Sequence, residues 1–321
     1  MMVSQIGVLS EAVSFVGVDI GKFSCVAACH GQPEVFSFKP DAAGIAGFLK
    51  HLGKLPGAVR VGLEASGGYE AGLWERLEAA GVDVRQLAPS RVHAYARSVG
   101  RRAKTDACDA ATIAAYMAAN PTAGRRIPEE NVRQIRALAA KRRQLIEVRK
   151  ALACQMKQAR HALVADMDTE MMALIEAQIA MVETAIEATI VADDGLAAKR
   201  RLLRSIPGLG EVSAFTLLAE MPELGTMTAG AAASLAGLAP FARDSGTLSG
   251  PRFIHGGRST VRDVLYMAAV SASCHAPDLK RFADRLKERH KPGKQVIIAV
   301  ARKLIELANR VLARQSEWEP R

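Results

Sequence analysis

Aromatic side chains make up only 5% of this 321-residue chain. Its apolar interior must therefore come mainly from aliphatic and small residues, and abundant alanine favours helices packed at close range. Cysteine is sparse too: Cys25, Cys29, Cys108, Cys154 and Cys274 are odd in number, scattered and without a CxxC pair. That excludes a disulfide framework and argues against a structural zinc site. No apolar run reaches the ~18 residues of a membrane span without a charge. The first 21 residues lack a charged leader and place Glu11 where a signal peptide needs apolar residues, so the chain reads as cytoplasmic with no membrane partner. Acids are outnumbered by bases, 33 against 43, giving a net charge of +10. This balance favours a polyanionic partner such as nucleic acid.

The length allows two or three domains. In a first domain, residues 14–127, Phe15 to Ala28 forms a β-rich run, and a turn at His30–Pro33 pairs it with a strand at Val35–Phe38. A helix over Asp41–Leu52 follows, then a buried strand Arg60–Ala65, a helix Tyr69–Ala80, a strand Val82–Leu87 and a short helix Pro89–Arg97. Strands first, then alternating β and α units, predict an α/β domain with a mixed sheet and helices on its faces. Two acids stand in apolar strands: Asp19, between Gly17 and Gly21, and Glu64, before a Gly-Gly turn. Buried charges need partners, and a salt bridge or cap is the plain explanation of either one alone.

Downstream, RRAKTDACDAATIAAYM (residues 101–117) offers Thr105 as a helix N-cap with Asp106 and Asp109 in the first turn. Residues at i and i+3 share a helix face, so the two carboxylates point the same way. They serve either as an acidic helix cap or as half of a site for a hard divalent cation.

No proline occurs from Val132 to Ile206, and apolar residues recur at 3,4 spacing through Ile135, Leu138, Leu145, Leu152 and Met156, then Met171, Ile175, Ile179, Val182 and Ile186. Residues 128–195 therefore read as a coiled-coil hairpin or dimer arm. Residues 131–160 carry nine basic side chains and one acid, and residues 161–195 carry eight acids and no Lys or Arg. The two arms attract each other, and a basic arm including Arg142 and Arg143 also suits a nucleic-acid backbone.

The last part, residues 196–321, reads as mostly helical. Its Ile206-Pro207-Gly208-Leu209-Gly210 turn is similar to a helix-hairpin-helix motif, in which Gly208 and Gly210 let backbone amides approach a phosphate. Beyond it, Ser245 lies on a glycine-rich loop among Arg243, Arg252 and Arg258. A serine so placed can attack a phosphate whose charge the arginines offset. Ser249 and Ser259 are the neighbouring candidates.

Asp19, Glu64, Asp106 and Asp109 together resemble the DEDD signature of RuvC-like domains in the RNase H-like fold. The whole order of elements, adding the helical arm, LLRSIPGLGEVSAFTLLAEM, GLAPFARDSG, GGR and VRDVLYMAA, resembles the DEDD recombinases of bacterial insertion sequences, the one-ten group. The resemblance spans roughly Phe15 to Leu312. It implies a RuvC-like catalytic domain holding Mg²⁺ on the four carboxylates, a coiled-coil segment, and a C-terminal transposase domain with Ser245 as nucleophile. It also implies donor and target DNA as substrates, a structured bridge RNA as guide, and assembly as a dimer or tetramer. Arg101, Arg102 and Lys104, ahead of the acidic pair, then read as a phosphate guide. Two alternatives stay open from the residues: a Mg²⁺-dependent nuclease or junction resolvase using water, and a non-catalytic nucleic-acid scaffold.

Overall fold

A computed structural model of the protein describes residues 13–65, 68–101, 105–158, 161–242, 244–245, 248–250 and 252–320, with only the backbone described at 245, 248 and 249. The chain divides into two compact units, Met1–Ile127 and Pro128–Arg321. The candidate contacts Arg102, Lys104 and Arg243 lie outside the described residues.

The first unit is built on a five-stranded sheet in the order β3-β2-β1-β4-β5. Its strands are β1 (Val13–Ile20), β2 (Cys25–Cys29), β3 (Val35–Phe38), β4 (Ala58–Glu64) and β5 (Asp83–Leu87). The run expected as one strand from Phe15 to Ala28 is in fact two. The Gly21 amide donates to the Ser24 carbonyl at 2.9 Å, and this turn folds β2 back antiparallel on β1. β3 pairs antiparallel with β2, whereas β1, β4 and β5 run parallel, as strands joined by helical crossovers must.

Alternation along the strands sorts the side chains onto two faces. Val16, Val18, Val61, Leu63 and Val84 join a core with helices α1 (Ala42–Leu52) and α2 (Ala71–Ala79), which contribute Ile45, Phe48, Leu73, Trp74 and Leu77. Each such buried side chain adds about 1.5–3 kcal/mol of hydrophobic stabilisation. Helices α3 (Pro89–Ser98) and α4 (Asp106–Ala119) form a separate cluster of Val92, Ile113, Tyr116 and Met117, joined by Leu87 and flanked by Phe15. One edge of the sheet's base is fastened by charge: Asp83 accepts from Arg60 Nε at 2.6 Å and from Arg85 Nε at 2.7 Å. Burial alone would raise the Asp83 carboxyl, but these two guanidiniums outweigh it and hold it below the ordinary aspartate value.

The second unit begins with α5 (Glu130–Met156) and α6 (Ala162–Val191), which pack antiparallel through Leu145, Leu152, Ile175 and Ile179. Arg142 Nε donates to Glu183 at 2.6 Å across the pair, one realised contact of the charge attraction between them. Helices α7 (Asp194–Arg204), α8 (Glu211–Glu220), α9 (Ala229–Leu235), α10 (Ser259–His275), α11 (Pro277–Glu288) and α12 (Gly293–Arg314) enclose the main core. α12 buries Val296, Val300, Leu304, Ile305 and Ala308 within this unit. Its Asn309 accepts from the Gly225 amide at 2.8 Å and donates to the Met227 carbonyl at 2.7 Å, which ties the α8–α9 connection down. Among the described residues no helix is long and apolar enough to cross a membrane.

Between α9 and α10 the glycine-rich loop is not irregular throughout. It folds as two short antiparallel ladders, β6 (Pro240–Phe241) with β9 (Phe253–Ile254), and β7 (Asp244–Ser245) with β8 (Leu248–Ser249).

Candidate active site and nucleic-acid contacts

The arrangement of the acids follows from strand register. β1 and β4 run parallel with Gly17 opposite Gly62 and Val18 opposite Leu63. One further step places Asp19 beside Glu64 at the ends of the two strands. Both glycines face α4. A Cβ on Gly17 would collide with the Ala110 carbonyl and the Ala114 amide, and one on Gly62 with the Met117 side chain. Asp19 and Glu64, two residues further along, project from that same face. α4 therefore lies close against the sheet because at Gly17 and Gly62 neither strand puts a side chain beneath it.

The first turn of α4 is set by Thr105, whose hydroxyl accepts from the Cys108 amide at 3.3 Å. Asp109 is half-buried in this turn, and Asp106 is exposed. The Glu64 carboxyl records what surrounds it. Burial raises it above its ordinary value, His93 on α3 pulls it down, and Asp19 and Asp109 push it up again. Two of the other predicted acids, Asp19 and Asp109, thus act on Glu64 through space. Asp106 shares the helix turn but is not among the groups that act on Glu64. His93 is a neighbour that sequence reasoning missed. A single histidine on an exposed helix carries no periodic signal, and only the short β5–α3 connection brings it to this end of the sheet.

As placed, no three His, Cys, Asp or Glu side chains among the described residues converge tightly enough to hold an ion. The donor chemistry nevertheless suits a hard divalent cation, because carboxylate oxygens are its preferred ligands. Burial is the main reason the Glu64 carboxyl is raised; Asp19 and Asp109 add a smaller push of like charge, which such a cation would relieve.

The other predicted residues are placed as follows. Ser245 ends β7 in the second unit, opposite Leu248, and Ser249 pairs with Asp244. Ser259 opens α10. Arg252 Nη2 stands 3.8 Å from Asp244, and both side chains are well exposed. Arg258 is engaged internally. It donates to the Glu220 carbonyl and grips Glu223 with two bonds, of 2.9 and 2.7 Å. Arg136 caps the end of α8 from the α5 side, donating to the Ala219 carbonyl at 2.6 Å. Arg143 lies 3.7 Å from Glu220, and Arg142, bonded to Glu183, also lies over the Phe215 ring. Arg101 donates to the Thr112 hydroxyl on α4 at 2.9 Å.

In the α7–α8 turn the two glycines differ in role. Gly208 has φ +96, and a Cβ there would strike Ala272 and the Ala268 carbonyl on α10, so close helix packing requires glycine. Gly210 is exposed with nothing near its Cβ direction, and no side chain caps α8 there. Glu211 in the first turn already bonds Arg204 at that helix end.

Two family models match the chain. Residues 16–163, which span the four acids, match the DEDD family model of IS110 elements, described as a transposase. Residues 200–284, which span Ser245, match the model described as transposase IS116/IS110/IS902 family. Two curated relatives, the pilin gene-inverting proteins of Moraxella lacunata and Moraxella bovis, are each 27% identical over 325 residues, covering 96% of this chain and 98% of theirs.

Proposed function

Because the chain carries the two transposase domains of the IS110 family and is a DNA recombinase or transposase enzyme, we propose that it cuts and rejoins DNA through a phosphoserine intermediate on Ser245. The observation that carries this reading is the placement of Asp19 and Glu64 one step beyond the Val18–Leu63 pair of β1 and β4, facing the first turn of α4, in a chain whose serine lies within the second transposase match.

The Ser245 Oγ attacks a backbone phosphorus of DNA. A bond from Oγ to phosphorus forms, one strand P–O bond breaks, and the hydroxyl proton ends on the departing strand oxygen. The hydroxyl of an incoming strand end then attacks the phosphoserine, restores the serine and takes over the phosphate. No nucleotide cofactor is needed, because phosphoester energy is kept throughout. Asp19, Glu64, Asp106 and Asp109 would hold Mg²⁺, which when bound offsets charge on the phosphate and on its attacking and leaving oxygens. Arg252 stands ready for phosphate on the serine-bearing hairpin. The strand order β3-β2-β1-β4-β5, with three antiparallel strands leading and parallel strands following, supports a RuvC-like domain.

Donor and target DNA are the proposed substrates, and a structured guide RNA is the second nucleic-acid partner, consistent with the net charge of +10. Self-association as a dimer or tetramer is supported by the outer face of α6. Met167, Met171, Leu174 and Met181 are 61%, 52%, 59% and 71% exposed at 3,4 and seven-residue spacing. Such a stripe fits a second helix.

The test uses the full chain with Mg²⁺, DNA carrying the element's end and the RNA transcribed from the element. A covalent protein–DNA band on a denaturing gel is expected, absent in Ser245→Ala and in Glu64→Gln. Wild-type cutting by Ser245→Ala would overturn the serine step and leave a water-using nuclease or junction resolvase in its place.

A further inference from the structure

The hairpin that carries Ser245 presents two aromatic rings to solvent. Phe241 on β6 and Phe253 on β9 are directly opposed in the ladder, yet they are 51% and 58% exposed. Neither joins the core of the second unit among the described residues. The His255 ring meets Phe241 edge-on, with centroids 6.0 Å apart and planes at 66°. In a chain with so few aromatics, two phenylalanines on one cross-strand position form an apolar surface that the fold itself leaves uncovered.

The neck of the hairpin is held tightly. Gly237 and Gly257 cross with no room for a Cβ on either, and Arg262 Nη1 donates to the Gly256 carbonyl at 2.7 Å. Arg258 anchors the same end through Glu223. The rings therefore stand on a fixed base. With Arg258 held by Glu223, residues 240–258 still carry Arg243 and Arg252 against the single acid Asp244, and this excess of positive charge favours a polyanion over an acidic protein face.

We propose that Phe241 and Phe253 form a stacking platform for an unstacked base of the DNA strand next to the phosphate attacked by Ser245. The proposal rests on the serine reading above. Ser245 is four positions on from Phe241, a reach of at most about 14 Å, which places the platform within a few nucleotides of the attacked phosphate. Phenyl rings accept the π-face of any base, so such a contact would hold the strand without reading its sequence.

The experiment compares binding of the full chain to three fluorescent probes by anisotropy: a short single-stranded DNA, the same strand with abasic sites, and an RNA of the same sequence. Wild type is expected to prefer the base-bearing DNA over the abasic strand. Phe241→Ala/Phe253→Ala should lose about tenfold or more on the base-bearing strand and little on the abasic one. Phe241→Trp/Phe253→Trp should restore the preference, with indole fluorescence quenched by the base-bearing strand alone. Ser245→Ala should keep the full preference. If it does, and yet still cuts DNA, the serine reading falls while the platform stands. Equal losses on base-bearing and abasic strands, a larger loss on the RNA than on the base-bearing DNA, or a change in self-association in place of DNA affinity would each overturn the platform. Circular dichroism of the alanine variant should match wild type, because both rings are exposed.

Discussion

Gly17 on β1 lies directly across from Gly62 on β4, and both turn their missing side chains toward α4. This one pair sets how closely the helix bearing Asp106 and Asp109 approaches the strands bearing Asp19 and Glu64. Gly17→Val would drive its side chain into the α4 backbone, which cannot give way as a flexible side chain can. We expect a loss of at least about 1–3 kcal/mol, the usual range for overpacking. Thermal unfolding should show it, and the covalent DNA adduct should disappear even where the variant remains folded.

Glu64→Gln should separate stability from activity. Burial and the neighbouring Asp19 and Asp109 raise the Glu64 carboxyl in the folded chain, with His93 opposing. A carboxyl raised on folding contributes its full stability below its unfolded value and loses it as pH climbs through the folded one. In the presence of a chelator, the variant should therefore be more resistant to denaturant than wild type at neutral pH. The advantage should vanish below the ordinary carboxylate range. DNA cleavage should be lost at every pH.

Asp83 carries the opposite sign. Arg85 and Arg60 hold its carboxyl below the ordinary aspartate value despite burial. Its contribution is present above the unfolded value and is lost as pH falls through the depressed one. Asp83→Asn should destabilise the first unit by about 1–3 kcal/mol, the scale of a charge-assisted bond lost to a part-buried partner. Denaturant midpoints should converge with wild type only in strong acid.

Arg258→Ala tests a positioning role against a phosphate contact. Its two bonds to Glu223 and one to the Glu220 carbonyl fix the base of the serine-bearing hairpin. The variant should lower the thermal midpoint of the second unit and reduce adduct formation sharply. The salt dependence of DNA binding should stay unchanged, because no phosphate contact is removed. A shallower salt slope would instead assign Arg258 to the DNA.

The outer stripe of α6 gives a further prediction. Met171→Glu combined with Leu174→Glu should abolish self-association in sedimentation or size-exclusion measurements. Both side chains are more than half exposed, so the unfolding free energy of the monomer should change by no more than about 0.5 kcal/mol.

Much of the local order was written in local chemistry. Thr105 was legible as a helix cap, and its hydroxyl accepts the Cys108 amide three residues on. Periodic apolar residues marked α5 and α6, and acids standing in apolar strands marked Asp19 and Glu64. These signals act over a few residues, so the sequence carries them directly. The break at Gly21 was not legible, because one apolar strand and two strands joined by a tight turn share the same composition. Nor could residue types show which arginines are held internally. Arg258 reads as one more loop cation until Glu223, 35 residues away, is brought to it.

By itself, then, the sequence determined the kinds of element, their order and the charged residues that needed partners. Tertiary structure alone decided which of those residues meet. Asp19 stands beside Glu64 because parallel β1 and β4 adopt one register, and Asp109 joins them because Gly17 and Gly62 leave room for α4. The acidic first turn of α4, which the sequence offered as a helix cap or as half of a cation site, is brought by packing to Glu64, about 45 residues away in the chain.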